Sequence, residues 1–272
     1  MANEEWPLID VTLKQFSLPW FAEWRGTKDA YVLEMTEDAA DDVLIELARH
    51  VGFNLAAGGP RVEPPFWRKG MLKVFITHLA AHRKFVAELQ EALWDYGMSG
   101  FVAHSDIEPT QEWQAEIETA LATCDALVAL LHPDFHLSNW TDQEIGFAMG
   151  RGVPVFSVRF GQDPYGFIGR FQAFDGKGKP AAMLATELFA AYRKNKQTQA
   201  LMGGALVKLL EESNNFASAK ERVGYLEELE TWDPSFSARL KGAVKGNSQV
   251  SDAYGVPDRI NGLIRKWAKK GA

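Results

Sequence analysis

The sequence predicts an α/β protein organised on a parallel sheet, and three observations carry that reading. Three short apolar runs, Lys73-Val74-Phe75-Ile76-Thr77, Ala126-Leu127-Val128-Ala129-Leu130-Leu131 and Val153-Pro154-Val155-Phe156-Ser157-Val158, show no polar alternation. Strands buried on both faces have this composition. Segments of helical periodicity separate the runs, so the order is β-α-β-α and the expected sheet is parallel. The third observation is a polar box, Ser138-Asn139-Trp140-Thr141-Asp142-Gln143-Glu144, placed after the run at 126–131. Ligands of such sheets bind beyond the carboxyl ends of the strands, which puts the box near the expected crevice. On a helix Trp140 and Glu144, four apart, share one face.

Taken in order, residues 1–69 read as an ordered N-terminal appendage of unassigned role. Val43, Leu44, Leu47 and Val51 give helical spacing over 38–51, with acids in the first turn where the helix dipole favours them. Trp6, Trp20, Phe21, Trp24, Tyr31, Val32 and Leu33 make the segment too apolar for a disordered tail. Gly58-Gly59-Pro60 and Pro64-Pro65 then read as a linker. After the first strand, Phe85, Val86, Leu89, Ala92 and Leu93 define an amphipathic helix over 82–96, and Gly97 follows where a helix ends. Phe101-Val102-Ala103 is the second strand, 106–110 a loop, and 111–123 a helix with Trp113, Ile117 and Ala120 on one face. Gly150-Arg151-Gly152 closes the helix that carries Glu144. Beyond the turn at 176–180, helical patterns run over 182–193, 199–212, 217–230 and 257–269, with breaks at 232–234 and 246–248. The first of these finishes the α/β domain, and 196–272 form a C-terminal helical region.

Composition narrows the class. The chain has 272 residues, 46% apolar and 24% charged, with a net charge of −7. This suits a globular protein and argues against nonspecific nucleic-acid binding. No apolar run reaches the roughly 18 residues that span a bilayer. Met1-Ala2-Asn3-Glu4-Glu5 lacks the basic stretch of a secretory signal, and Cys124 is the only cysteine. A cytoplasmic protein without an internal disulfide is expected.

Four boxes in fixed order then resemble one family. Lys73-Val74-Phe75-Ile76-Thr77-His78 resembles the first strand of Toll/interleukin-1 receptor (TIR) domains. Phe101-Val102-Ala103-His104-Ser105-Asp106-Ile107-Glu108-Pro109 is similar to their second strand and mobile BB loop. Ser138 to Glu144 looks like the Trp-x-x-x-Glu box of members that cleave NAD, and Asp163-Pro164-Tyr165-Gly166-Phe167-Ile168-Gly169 resembles a segment of bacterial members. The resemblance covers roughly residues 70–195 and implies a flavodoxin-like fold. It also implies NAD+ as substrate rather than cofactor, a bacterial antiphage setting with a possible defence-system partner, and self-association through the BB loop. The chain departs from many bacterial members at Leu79-Ala80-Ala81 and at Thr110, where Gly is frequent.

By that resemblance Glu144 is the catalytic residue, Trp140, His78 and Phe101 contact substrate, and Ile107, flanked by Asp106 and Glu108, makes the self-association contact. Nicotinamide leaves NAD+ as a neutral molecule, so its departure needs no general acid and no pair of carboxylates. A fixed negative charge beside the developing oxocarbenium ion suffices. Spacing alone leaves a second role open, because Thr141-x-x-Glu144 also fits a helix capping box. The resemblance likewise leaves open a non-enzymatic scaffold or a nucleotide-sensing module. No metal is expected, since Pro133 prevents one helix from carrying both His132 and His136. The consecutive His104, Ser105 and Asp106 cannot stack as a triad.

Overall fold

The computed structural model describes residues 6–21, 23–50, 64–102 and 111–270. The linker expected at 58–60 and the loop expected at 106–110 lie outside the described residues. The chain divides into two compact units, Met1–Val62 and Glu63–Ala272.

In the first unit, helices α1 (Trp6–Gln15), α2 (Lys28–Thr36) and α3 (Asp41–His50) enclose Ile9, Leu13, Leu18, Tyr31, Met35 and Leu47. Tyr31 is the centre of this small core. Its hydroxyl donates to Asp10 Oδ1 at 2.7 Å, and Trp6 and Trp24 pack against its ring at 5.4 and 5.3 Å. Thr27 caps α2 by accepting from the Ala30 N–H. Of the three helices, only α3 announces itself by periodicity. Leu8 and Val11 of α1 and Leu33 of α2 are exposed, which blurs the apolar stripe of both.

The second unit holds five strands: β1 (Leu72–Thr77), β2 (Met98–Val102), β3 (Ala126–Leu131), β4 (Val155–Arg159) and β5 (Phe174–Asp175). They form one parallel sheet in the order β2-β1-β3-β4-β5, the flavodoxin-like order. The crossovers contain α4 (Arg83–Trp94), α5 (Gln111–Thr123) and α6 (Thr141–Gly150), and α7 (Ala181–Lys194) follows β5. Alternation along the strands divides the core in two. Leu72, Val74, Ile76, Val128 and Leu130 pack with Val86, Leu89 and Leu93 of α4 and Leu184 and Leu188 of α7. Phe75, Leu127, Ala129 and Leu131 face Ile117 of α5 and Ile145 and Ala148 of α6. The second strand begins at Met98, three residues before the expected start. Ser99 and Gly100 hide it from a propensity reading, yet both are buried in the ladder.

The C-terminal helices continue the first of these cores. In α8 (Gln199–Glu211), Met202, Leu206, Val207 and Leu210 share the cluster of Leu72 and Leu89. Beyond it, α9 (Phe216–Glu227), α10 (Pro234–Gly246), α11 (Ser248–Ser251) and α12 (Val256–Lys270) add Val223, Leu240, Val250 and Ile260 to the same cluster. Helix α10 stands where the sequence offered two breaks and no periodic stretch between them. Those breaks are its caps: Asp233 accepts from the Ser235 N–H, and Pro234 occupies the first turn, where its missing donor costs nothing. Arg239 of α10 grips Glu211 of α8 through two bonds of 3.0 and 2.6 Å.

Gly97 marks how tightly α8 is seated. It ends the first crossover helix with φ +75°, and a Cβ there would lie 3.0 Å from the Ala205 Cβ of α8. Gly97→Ala combines left-handed strain with that approach, so it is expected to destabilise the protein by about 1–3 kcal/mol in urea unfolding. Unchanged stability would mean that α8 does not press on this turn.

Candidate active site

The strand order fixes where a site forms. The chain leaves β1 toward β2 on one side and later returns to β3 on the other, so the crossovers diverge at the carboxyl ends of β1 and β3. This is the topological switch point at which open α/β sheets bind ligands. His78 follows β1 and His132 follows β3, and both therefore sit at that edge. His78 is half-buried, with Nδ1 3.1 Å from the Ile76 carbonyl. His132 is buried between two rings, His82 at 3.3 Å and Phe160 at 4.3 Å, both nearly parallel to it. Burial, with repulsion from His82 and His78 adding to it, draws the His132 pKa down to about 4. At neutral pH this imidazole is uncharged.

The loop from β3 to α6 presents the carboxylate. Asp134 adopts the left-handed conformation at φ +68°, and a single 3-10 turn, Phe135–Leu137, buries Phe135. The Thr141 hydroxyl then donates to the Phe135 carbonyl at 2.8 Å, which anchors the start of α6. Trp140 is the cap residue, and the first helical bond runs from the Glu144 N–H to the Trp140 carbonyl at 2.9 Å. The capping box left open by the spacing does not form. Thr141 lies inside the helix, the Glu144 N–H goes to the Trp140 carbonyl, and among the described residues the Glu144 carboxyl has no backbone N–H partner.

Glu144 turns toward the sheet and is only 5% exposed, whereas Trp140 keeps 40% of its surface. The face that spacing assigned to both residues is thus two environments, because Trp140 stands at the lip where the turn enters the helix. Burial pushes the Glu144 carboxyl up from an ordinary 4.5 to about 7, and the nearby Thr77 hydroxyl opposes the rise. The amino end of α6 also favours a carboxylate. Desolvation outweighs both. Thr77 Oγ1 faces the carboxyl from the end of β1 without closing a hydrogen bond of ordinary geometry.

Two of the other expected positions, Phe101 and the 163–169 segment, are described. Phe101, 7% exposed, is packed among Phe66, Trp67 and Phe75 with ring centroids 4.9 to 5.9 Å apart. It shares the core cluster of α5 and α6 on their sheet face, so little of its ring is open to a ligand. Tyr165 donates to Asp142 in the first turn of α6 at 2.6 Å and so ties the 163–169 segment to the box. Ile107, Asp106 and Glu108 lie outside the described residues. Thr77 and His132 were not singled out as ligand-facing by the sequence. The signal for Thr77 was a polar residue closing an otherwise apolar strand.

The sequence model described as TIR domain covers residues 74–188, from β1 into α7. Residues 74–188 are a TIR domain. No curated protein matches the chain significantly. Within the TIR domain and its helical flanks, no described helix is long and apolar enough to cross a membrane. Among the described residues, no three His, Cys, Asp or Glu side chains gather as a metal site.

A buried acid couples the TIR domain's stability to pH with a definite sign. Between pH 4.5 and 7 the folded state holds a proton on Glu144 that the unfolded chain has released. Stability from this group is therefore complete below 4.5 and is lost as pH rises through about 7. The rise from 4.5 to about 7 corresponds to about 3 kcal/mol. Glu144→Gln is expected to match the wild type at pH 4.5 and to exceed it at pH 8 by up to this amount in urea unfolding. A variant less stable than wild type at pH 8 would contradict the burial.

Proposed function

We propose that the domain is an NAD+ glycohydrolase that breaks the bond between nicotinamide and ribose, releasing nicotinamide with ADP-ribose or a cyclic isomer. The observation that carries this reading is the Glu144 carboxyl, buried at the carboxyl edge of the β1/β3 switch point inside a Trp-x-x-x-Glu box. NAD+ enters as substrate, and no metal or further cofactor takes part. The nicotinamide ring departs neutral, so the protein contributes a negative charge to the oxocarbenium-like ribose and excludes competing water. Glu144 supplies the charge, and the same carboxylate is suited to ribose hydroxyls, which positions the sugar. Trp140, with its exposed ring, offers a stacking face, and His78 and Phe101 are the other proposed substrate contacts.

The raised pKa fits a cationic substrate. Free protein holds Glu144 near half-ionised at neutrality, and the positive nicotinamide of bound NAD+ draws the proton off. The acid limb of kcat/KM, which reports free enzyme, therefore falls near pH 7, and that of kcat falls lower.

TIR domains commonly self-associate. Here the proposed contact is Ile107 with Asp106 and Glu108, supported by exposed Leu137 and Phe167 on the two turns that flank α6. The proposed setting is a bacterial cytoplasm, where NAD+ loss or a nucleotide signal serves antiphage defence alongside a partner protein. One observation favours a second reading. A carboxyl kept largely from solvent suits a structural residue, and the domain then acts by self-association or nucleotide binding alone.

Incubation of concentrated protein with NAD+, with free nicotinamide measured, separates the two. Steady release by wild type and a loss of about 100-fold or more in Glu144→Gln is expected, since the swap keeps shape and removes charge. A variant that keeps most of a robust wild-type turnover would overturn the assignment. Trp140→Ala is expected to raise KM several-fold with little change in kcat, as for a contact made alike in ground and transition states. A fall confined to kcat would rule out simple stacking.

A further inference from the structure

Alternation on β1 places Phe75 and Thr77 toward α5 and α6, and Leu72, Val74 and Ile76 toward α4 and α7. Thr77 is thus the last side chain of β1 on the face that α6 covers. The register pairs Thr77 with Ala129 and Ala129 with Ser157, so one row across β1, β3 and β4 reads Thr-Ala-Ser. Alanine at the centre lets α6 come close, and a hydroxyl stands on either side. Thr77 is 1% exposed and Ser157 2%, and neither oxygen has a hydrogen-bond partner. Buried hydroxyls are ordinarily satisfied, so an orphan at this position calls for a reason.

Valine has the shape of threonine, packs better in a strand and carries no hydroxyl to desolvate. The three residues before Thr77 are Val74, Phe75 and Ile76, all fully buried, and the hydroxyl breaks that pattern at the position facing the Glu144 carboxyl. A β-branched side chain in a packed strand is stiff, so the oxygen is held in place rather than searching for a partner. A protonated carboxyl needs this donor little, whereas a carboxylate, an acceptor only, binds it strongly.

We propose that Thr77 is a positioning residue for Glu144, whose hydroxyl donates to the carboxylate once Glu144 has lost its proton and so sets both the pH of ionisation and the direction in which the charge points. Glu144 releases its proton to solvent or to a passing base, and Thr77 keeps its own while turning it to the carboxylate. The catalytic consequence rests on the glycohydrolase reading, but the ionisation itself does not. Among the described residues the groups acting on Glu144 are its own burial and Thr77. The other ionisable groups nearby are engaged or turned elsewhere. Asp142 of α6 accepts from Tyr165, His78 meets the Ile76 carbonyl, His132 is stacked with His82 and Phe160, and Asp134 and His136 lie on the turn before α6.

The test is a titration of the full chain labelled with carboxyl-13C glutamate, the Glu144 signal being assigned by its loss in Glu144→Gln. Thr77→Val is expected to move the Glu144 midpoint upward by about one pH unit, the size of one charge-assisted hydrogen bond. The acid limb of nicotinamide release should follow it, with about a tenfold loss of rate below the limb and recovery at high pH. Thr77→Ser, which keeps the hydroxyl, is expected to restore both. Thr77→Ala removes the same hydroxyl and serves if the valine variant does not fold. A Glu144 midpoint that stays at its wild-type value without the hydroxyl would overturn the proposal, whatever happens to activity. A shifted midpoint in a protein that releases no nicotinamide would uphold Thr77 and reject the glycohydrolase reading instead.

Discussion

Everything at the candidate site depends on β1 lying between β2 and β3. A parallel sheet must return each strand to the same edge by a crossover, and a strand flanked on both sides sends its crossovers apart. The gap they leave is at the carboxyl ends of β1 and β3, where His78, His132 and the loop into α6 converge. Burial on both faces is the condition for this sheet, and the helices supply it. Helices α5 and α6 cover one face, while α4, α7 and α8 cover the other, and α9 to α12 extend that second core beyond α8. Helix α8 seals the face opposite Glu144 and holds the turn at Gly97.

Within that frame the decisive energy is the cost of removing one carboxyl from water. A carboxylate in the first turn of a helix is ordinarily favoured, by up to about 1 kcal/mol at an exposed position. Glu144 has that position and still has its pKa raised to about 7, so desolvation wins. Burying an acid carries a penalty that an apolar residue in the same place would not have. An acid that meets a cation recovers the cost when the cation arrives. His132, held uncharged by its own burial, adds no positive charge to the crevice.

The sheet was legible because burial on both faces writes itself as unbroken apolar runs, and β1, β3 and the core of β4 stand where those runs do. β2 was half-legible. Ser99 and Gly100 carry no strand preference and are strand only because β1 pairs with them. Phe174 and Asp175 make too short a strand for any pattern, and α10 was hidden by the same Pro234 that begins it. At the site, spacing singled out Glu144 and left its role open between cap and charge. Only the path of the loop could decide, because it makes Trp140 the cap and gives the Glu144 N–H to the Trp140 carbonyl. Thr77 was illegible for a related reason. The residue it faces lies on α6, a relation that one strand's sequence does not contain.

The most direct measurement is the titration of the Glu144 carboxyl by 13C NMR, first in free protein and then with a non-hydrolysable NAD+ analogue that keeps the cationic nicotinamide. A buried acid that faces the substrate should titrate near pH 7 when free and at clearly lower pH when the analogue is bound. A midpoint near the ordinary 4.5, or one near 7 that saturating analogue leaves unmoved, would contradict a carboxyl that meets the nicotinamide ribose.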